Sequence, residues 1–98
     1  MFKIIILPRA KSDIKNAALW YNQQQLDLGS RFTQEVRKKV EFIARNPESS
    51  PIRYDNIRTT LVDVFPYLIH FTFSNENKRI VISAVFHTSR DPQIWKKR

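Results

Sequence analysis

The apolar residues of this chain recur with two different periods. In the first half they recur every three or four residues, as at Phe32, Val36 and Val40, and in the second half every second residue, as at Ile69 and Phe71. A period near 3.6 is typical of a helix with one buried face, and a period of two is typical of a half-buried strand. The pattern therefore predicts helices first and a sheet afterwards.

The helical period predicts two helices joined as a hairpin. The first runs from about Ser12, a fair N-cap, to Gln25, and the second from about Asp27 to Arg45. Asn46-Pro47 ends the second helix, because proline cannot continue a helix and restricts the residue before it. The stripe that should face a sheet is Ile14, Ala17, Tyr21, Phe32, Val36, Val40 and Ile43.

Strands are predicted on both sides of this hairpin. Phe2–Leu7 is the first and is closed by Pro8, whereas Pro47–Asp55 is predicted to be a loop. The remaining strands are Arg58–Phe65, Tyr67–Phe73 and Arg79–Phe86. The inner face of the sheet should carry Ile69, Phe71, Ile80, Ile82, Ala84 and Phe86.

The resulting order, β-α-α-β-β-β, places the helices early and the antiparallel strands late. This grouping is typical of α+β domains. A chain of 98 residues has the length of one domain. We therefore expect a single domain over residues 1–98, in which an N-terminal strand and a helical hairpin precede a three-stranded antiparallel meander, with the helices packed on one face of the sheet.

The chain is strongly basic. Lys and Arg number 17 against nine Asp and Glu, which gives a net charge of +8. So many positive charges on a small domain repel one another, which favours a polyanionic partner, either nucleic acid or an acidic protein. The alternative is a basic surface that serves solubility alone.

Other features of the composition narrow the function classes. The chain has no cysteine, which excludes disulfides and thiolate metal sites, and its two histidines are not at ligand spacing. We therefore expect no metal, no cofactor and no small-molecule substrate. No apolar stretch approaches the ~18 residues of a membrane span and no signal peptide is evident, so a cytoplasmic protein without a membrane partner is expected.

The C-terminal fifth of the chain carries the residues least expected of a core. The apolar run Arg79–Phe86 leads into His87, Arg90, Trp95 and the basic end Lys96, Lys97 and Arg98. Histidine, arginine and an aromatic ring leaving a strand together are suited to a phosphate-rich or acidic partner. The alternatives are a hydrogen-bonded structural role for His87 and a salt bridge that fixes the turn for Arg90.

Several short motifs, in order along the chain, resemble one known family. They are Asp13-Ile14, Trp20-Tyr21, Leu28-Gly29-x-x-Phe32, Asn46-Pro47, Ile57-Arg58, Phe65-Pro66-Tyr67-x-Ile69-x-Phe71 and Ala84-Val85-Phe86-His87-x-x-Arg90-x-Pro92-x-x-Trp95. Their order and spacing resemble the RelE/ParE superfamily of bacterial type II toxins, and the ParE branch more than the RelE branch.

The resemblance implies a growth-inhibiting toxin, of a class associated with plasmid stabilisation, that is neutralised by a cognate antitoxin in a hetero-oligomer. Antitoxins of this group dock an extended or helical C-terminal segment across the toxin. ParE-like toxins bind and poison DNA gyrase, whereas RelE-like toxins cut messenger RNA on the ribosome. A third alternative is an orphan that binds its antitoxin and is not toxic.

The sequence departs from the RelE pattern where catalysis would need cations. RelE-like chains place an arginine near the position of Phe65-Pro66-Tyr67, and this chain has none there and no lysine from Glu41 to Asp55. A metal-free ribonuclease needs a base, an acid and cations aimed at the phosphate. The departure favours a gyrase poison over an enzyme. If the chain is a ribonuclease, its minimal site is His87, Arg90, Arg58 and Tyr67.

Two surfaces are therefore predicted. The target-binding surface combines Arg58 and Tyr67 with the C-terminal element, which comprises His87, Arg90, Trp95, Lys96, Lys97 and Arg98. The antitoxin-binding surface comprises Trp20, Arg37, Lys38 and Arg45. The basic residues of the second helix could otherwise be a solvated face, but the charge excess makes an acidic antitoxin a reasonable counterpart.

Overall fold

The computed structural model describes residues 2–93, which form two helices packed on one five-stranded sheet. The elements in chain order are β1 (Lys3–Ile6), α1 (Pro8–Gln24), α2 (Leu28–Arg45), a 3-10 turn (Pro47–Ser49), β2 (Ile52–Tyr54), β3 (Ile57–Leu61), β4 (Tyr67–Ser74) and β5 (Arg79–His87). The strand order is β1-β5-β4-β3-β2. β1 runs parallel to β5, and the other neighbours are antiparallel. The predicted α+β class, with the helical hairpin on a sheet, is confirmed.

The first helix begins at Pro8, four residues before the predicted N-cap. Leu7 is the N-cap in an extended conformation, and its carbonyl accepts a hydrogen bond from Lys11 N at 3.0 Å. Proline is favoured at the first helical position, because its fixed φ suits a helix and its missing N–H would have no partner there. The prediction of Ser12 as the N-cap is therefore wrong, and Pro8 both ends the strand region and starts the helix.

The segment predicted to be a loop before the sheet contains an additional strand. Within Pro47–Asp55 the chain makes a 3-10 turn and then β2, a three-residue edge strand paired with β3. Three residues are too few to show a period of two, which explains why the pattern missed this strand. β3 in turn ends at Leu61 instead of Phe65, although Val62 and Phe65 remain buried in the connection that follows.

The main core lies between the helical hairpin and one face of the sheet. Most of the predicted stripe is buried there, and Ile14 and Tyr21 lie partly buried at its margin. The buried helix residues are Ala10, Ala17, Phe32, Val36, Val40, Ile43 and Ala44, and the strand residues are Ile69, Phe71, Ile80, Ile82 and Val85. Neither helix within residues 2–93 is long and apolar enough to cross a membrane.

A β-bulge in β5 divides its residues between the two faces of the sheet. Phe71 pairs with Ile82, but His70 pairs with Ala84, so Ser83 is an extra residue on β5. Because side chains alternate with a period of two, one extra residue exchanges the faces beyond it. The prediction that Ala84 and Phe86 share the inner face with Ile80 and Ile82 is therefore wrong.

Beyond the bulge, Ala84 and Phe86 form a second cluster with Tyr54 and Leu68 on the face away from the helices. The fully buried His70 belongs to the same face, where its ring contacts those of Tyr54 and Phe86. Its Nδ1 lies 3.0 Å from the Tyr54 hydroxyl, a hydrogen bond that a buried polar ring requires. Burial and the nearby Asp55 carboxylate raise the pKa of Tyr54.

The core assignment predicts that Phe71→Ala is strongly destabilising. Phe71 is 0% exposed between the helices and the sheet, so its truncation should lower the free energy of unfolding by about 3–5 kcal/mol. Phe42→Ala is the matched control, because Phe42 is 42% exposed on α2 and should cost much less. Urea unfolding of both variants measures the difference. A Phe71→Ala curve that coincides with wild type would contradict the assignment.

Candidate target-binding site

A small polar cleft lies between α1 and the C-terminal end of β5. Its volume is about 220 Å³. Its lining residues are Asp13, Asn16, Ala17 and Trp20 from α1, Tyr67 from β4, Val85, Phe86 and His87 from β5, and Arg90 beyond that strand. We call this the α1–β5 cleft. It brings together Tyr67, His87 and Arg90, three of the residues predicted to bind the target.

One hydrogen bond fixes the wall of this cleft. The Asp13 carboxylate accepts a hydrogen bond from Val85 N at 3.0 Å, and the two residues are far apart in the sequence. β1 ends at Ile6, opposite Ile82, so β1 does not extend alongside Val85. The helix thus supplies the acceptor that a longer β1 would have offered to the backbone. α1 is held against β5 just past the bulge.

His87 has its ring oriented by the turn that follows it. Its Nδ1 accepts a hydrogen bond from Ser89 N at 3.0 Å and lies 2.7 Å from Ser89 Oγ, while Arg90 N donates to the His87 carbonyl at 3.0 Å. A backbone N–H can only donate, so Nδ1 is the acceptor and the neutral ring carries its proton on Nε2. The predicted structural role of His87, a hydrogen bond within the turn, thus explains the position of Nδ1. The other ring nitrogen, Nε2–H, is a hydrogen-bond donor.

Tyr67 links the cleft to the main core. Its ring lies 4.9 Å from that of Phe32 and 5.2 Å from that of His87, centroid to centroid. Burial raises the pKa of Tyr67, and the nearby Arg90 guanidinium partly opposes this shift. The ordinary pKa of a phenol is already near 10, so Tyr67 is protonated and able to donate a hydrogen bond at neutral pH.

Arg90 follows β5 and lines the cleft together with His87. Its guanidinium lies over the Phe86 ring, 5.0 Å from the ring centroid. A guanidinium stacked in this way keeps its N–H donors in its own plane, where they can reach an anion. Asp91, the next residue along the chain, accepts a hydrogen bond from Gln93 N at its Oδ1.

Arg58 does not converge with these residues. It pairs with Phe71 on β4, four positions from Tyr67, which is roughly 13 Å along the strand. Its Nη1 donates to the Ser50 carbonyl at 2.6 Å, and its guanidinium lies 4.9 Å from the centroid of Phe73. These contacts fasten the segment before β2 to β3. The four residues of the minimal ribonuclease site thus do not assemble as a group.

The cleft also contains residues that the sequence pattern did not predict there. Asp13 and Asn16 were missed, and Trp20, which was predicted to bind the antitoxin, lines the cleft. Positions 13, 16 and 20 follow the i, i+3, i+7 spacing of one helix face, which is the signal that could have grouped them. Trp95, Lys96, Lys97 and Arg98 lie outside the described residues, and their role in binding the target stays a prediction.

A second surface runs along the outer side of the helical hairpin. Two adjoining cavities of about 340 and 360 Å³ share Ala18, Asn22 and Thr33 and form what we call the interhelical groove. α1 contributes Lys11, Ile14, Lys15 and Leu19, and α2 contributes Gly29, Ser30, Gln34 and Arg37. The floor is partly apolar, and three of the lining residues are basic.

The interhelical groove depends on the one glycine of the chain. A Cβ at Gly29 would lie 2.2 Å from the Ala18 carbonyl oxygen, and Gly29 N donates to Asn22 Oδ1 at 2.8 Å. The helices can approach this closely only because Gly29 has no side chain. Two other residues predicted to contact the antitoxin lie further along α2. Lys38 Nζ is 3.6 Å from Glu35 Oε2, and Arg45 is exposed in the last turn of the helix.

The comparisons with known proteins decide the family. The family model described as "ParE toxin of type II toxin-antitoxin system, parDE" matches residues 4–92. The chain belongs to the ParE toxin family. Among curated proteins, none matches the sequence significantly. The predicted membership of the RelE/ParE superfamily is confirmed.

Solved structures of toxins share the fold of this ParE-family chain. A structure of the chromosomal ParDE system from P. aeruginosa has a TM-score of 0.77 at 15% identity, covering 91% of this chain and 98% of that one. The isolated E. coli RelE toxin has a TM-score of 0.68 at 14% identity, covering 99% and 95%. The intact E. coli RelBE toxin-antitoxin complex has a TM-score of 0.69 at 15% identity, covering 92% and 100%.

Both ParE and RelE structures are thus similar to this chain in fold. The target must therefore be argued from the residues of the α1–β5 cleft, since the fold is common to both kinds of toxin. No group of three or more His, Asp or Glu residues suited to a metal ion occurs in residues 2–93. The cleft offers hydrogen-bond donors, one arginine and one carboxylate.

Proposed function

We propose that this chain is the toxin of a type II toxin–antitoxin pair, that it acts in the cytoplasm, and that it inhibits growth by binding DNA gyrase. The observation that carries the choice of target is the composition of the α1–β5 cleft. Tyr67, His87 and Arg90 meet there, but Arg58 is engaged elsewhere with the Ser50 carbonyl. Tyr67, His87 and Arg90 are better suited to binding a partner protein than to cleaving a phosphodiester bond.

The chemistry of RNA cleavage supports this choice. A metal-free ribonuclease must stabilise a phosphorane whose negative charge grows in the transition state, which calls for cations aimed at one point. Among the described residues that line the cleft, Arg90 is the one with a fixed positive charge, and the Asp13 carboxylate lies in the same cleft. A carboxylate beside a single arginine offsets much of the field that the reaction needs. Ribosome-dependent cleavage of messenger RNA is the alternative.

A His87→Ala variant separates the two kinds of toxin. In a gyrase poison, loss of this side chain should cost about one hydrogen bond, ~1 kcal/mol, and so roughly fivefold in the concentration that inhibits supercoiling. In a ribonuclease that uses His87 as its acid, the cleavage rate should fall about 10²–10⁴-fold. The measurement compares purified wild type and variant in a gyrase supercoiling assay and in a translation extract. Arg45→Ala, an exposed α2 change, is the matched control.

Two outcomes would contradict the proposal that the chain binds gyrase. Wild type that leaves gyrase untouched and cuts messages, with the variant inactive, would show a ribonuclease. Wild type that permits normal growth when expressed alone would show the orphan that only binds its antitoxin. The proposal requires filamentous cells, broken DNA and intact messages on expression of the wild-type chain.

We further propose that the cognate antitoxin occupies the interhelical groove. The groove has a partly apolar floor, including Leu19, which is 52% exposed, and its lining includes Lys11, Lys15 and Arg37. An acidic, amphipathic helical segment matches both features, since its apolar side can fill the floor while its carboxylates meet the basic residues. β1 also forms one edge of the sheet and can accept an extended part of the same partner.

Antitoxin binding should depend on apolar contact more than on charge. Leu19→Ala should weaken the complex about tenfold, because it removes apolar surface from the groove floor. Leu26→Ala is the matched control, since Leu26 is 83% exposed and does not line the groove. Calorimetry with the antitoxin measures both affinities. A complex that dissociates at ~1 M salt, where the Debye length is about 3 Å, or equal losses in both variants, would contradict the proposal.

A further inference from the structure

We infer that the tip of the β3–β4 hairpin is an apolar contact for the target protein, next to the α1–β5 cleft. The hairpin tip comprises residues 61–66, from the last residue of β3 to the residue before β4. Two apolar side chains of the tip, those of Leu61 and Val64, are 54% and 69% exposed. This inference deepens the proposed function and rests on it in identifying the partner as gyrase.

Val64 has a backbone conformation that its own side chain disfavours. Its φ is 74°, in the left-handed region. The other described non-glycine residues with a positive φ are Asp27, Asp55 and Lys78, and none of these has a branched Cβ. For a β-branched residue this conformation is an outlier, because Cβ comes too close to the backbone carbonyl. Asparagine or glycine at this position would relieve the strain.

The strained conformation is held by contacts on both sides of Val64. Val62 and Phe65 are 1% and 5% exposed, so both flanking side chains are anchored in the main core. Val62 N donates to the Tyr67 carbonyl at 2.9 Å, and Tyr67 N donates to the Phe65 carbonyl at 2.8 Å. Backbone strain persists only where the surrounding structure fixes it in this way, and such sites cluster at ligand contacts.

The strain at Val64 has no compensation from burial in the free chain. Single exposed apolar residues are common on protein surfaces and need no explanation. Val64 differs because it is both exposed and strained, so the free chain would be at least as stable with asparagine in its place. A partner that covers this side chain would offset the strain by removing apolar surface from water. The hairpin tip is therefore suited to binding.

The chemistry of the hairpin tip favours a protein partner over a nucleic acid. Residues 61–66 include no Lys or Arg, and their one charged residue is Asp63, whose Oδ1 lies 3.3 Å from Lys39 Nζ. Phosphates require cations, and unpaired bases stack on aromatic rings or on guanidinium groups. Leu61 and Val64 offer neither. Aliphatic side chains instead fit an apolar depression on the surface of a folded protein.

The position of the hairpin tip favours the target over the antitoxin. Thr88 N donates to the Pro66 carbonyl at 2.9 Å, and Tyr67, which follows the tip, pairs with His87 on β5. The tip and the α1–β5 cleft therefore lie at the same end of the sheet, where one protein surface can contact both. The described residues that line the interhelical groove come from α1 and α2, so an antitoxin in that groove lies on a different surface.

The test replaces Val64 by asparagine, which is polar and tolerates a positive φ. Val64→Asn should unfold at or above the wild-type temperature, because the strain is relieved. It should nevertheless require about tenfold more protein to inhibit gyrase supercoiling, because the apolar contact is lost. Thermal unfolding and a supercoiling assay measure the two effects. Damage to the fold cannot explain weaker inhibition by a variant that is at least as stable as wild type.

Leu26→Asn is the matched control, since Leu26 is 83% exposed in the turn between the helices and undergoes a similar change from apolar to amide. It should inhibit gyrase as wild type does. Leu61→Asn, at the first residue of the tip, should weaken inhibition about fivefold. Val64→Asn that inhibits as well as wild type, or that unfolds at a clearly lower temperature, would overturn the inference. An equal loss of inhibition in Leu26→Asn would overturn it as well.

The inference and the proposed function fail in different ways. Equal inhibition of gyrase by wild type and Val64→Asn would overturn the contact at the hairpin tip and leave the proposed function in place. Growth arrest that is lost in Val64→Asn, by a wild-type chain that does not inhibit gyrase, would support the contact and overturn gyrase as the target. Calorimetry with the antitoxin should give equal affinities for wild type and Val64→Asn. A tenfold loss of antitoxin affinity would show that the antitoxin covers the tip and would overturn the inference.

Discussion

The hydrogen bond from Val85 N to the Asp13 carboxylate joins the first helix to the last strand at the point where that strand has just exchanged its faces. Ser83 makes the bulge, and the bulge sends Val85 and His87 toward the helices and Phe86 to the other side. β1 is too short to pair with this part of β5, so the helix supplies the acceptor. A charge-assisted bond to a backbone N–H is among the stronger hydrogen bonds available to a protein, roughly 1.5–3 kcal/mol.

The bulge explains how β5 contributes residues to the main core, to the second cluster on the opposite face and to the α1–β5 cleft. His87 reaches the cleft from the helix side, in contact with Tyr67, and the Arg90 guanidinium lies over the Phe86 ring beside it. A regular strand would have put His87 on the face away from α1, separated from Asn16 and Trp20. The functional hypothesis therefore depends on an irregularity of the backbone more than on the identity of any one side chain. Bulges often re-aim side chains beside functional sites in this way.

Hydrophobic periodicity was sufficient to predict the helical hairpin, the strands after it and most of the core, because burial imposes those periods directly. It could not locate the bulge, since Ile80, Ile82, Ala84 and Phe86 alternate without a break in the sequence although they do not share a face. Pro8 was ambiguous because proline both closes strands and opens helices. The contacts that remove Arg58 from the cleft are to backbone carbonyls, which no side-chain pattern reveals.

The role of the hydrogen bond between Asp13 and Val85 is tested most directly by native-state hydrogen exchange at the Val85 amide, measured by NMR in wild type, Asp13→Asn and Asp13→Ala. We expect strong protection of this amide in wild type, partial protection in Asp13→Asn, which keeps a side-chain acceptor, and a loss of protection of about tenfold or more in Asp13→Ala. Amides of β4, which is paired on both sides, should keep their protection and show that the sheet remains folded. Val85 exchange that is the same in wild type and Asp13→Ala would show that this bond does not hold the cleft together.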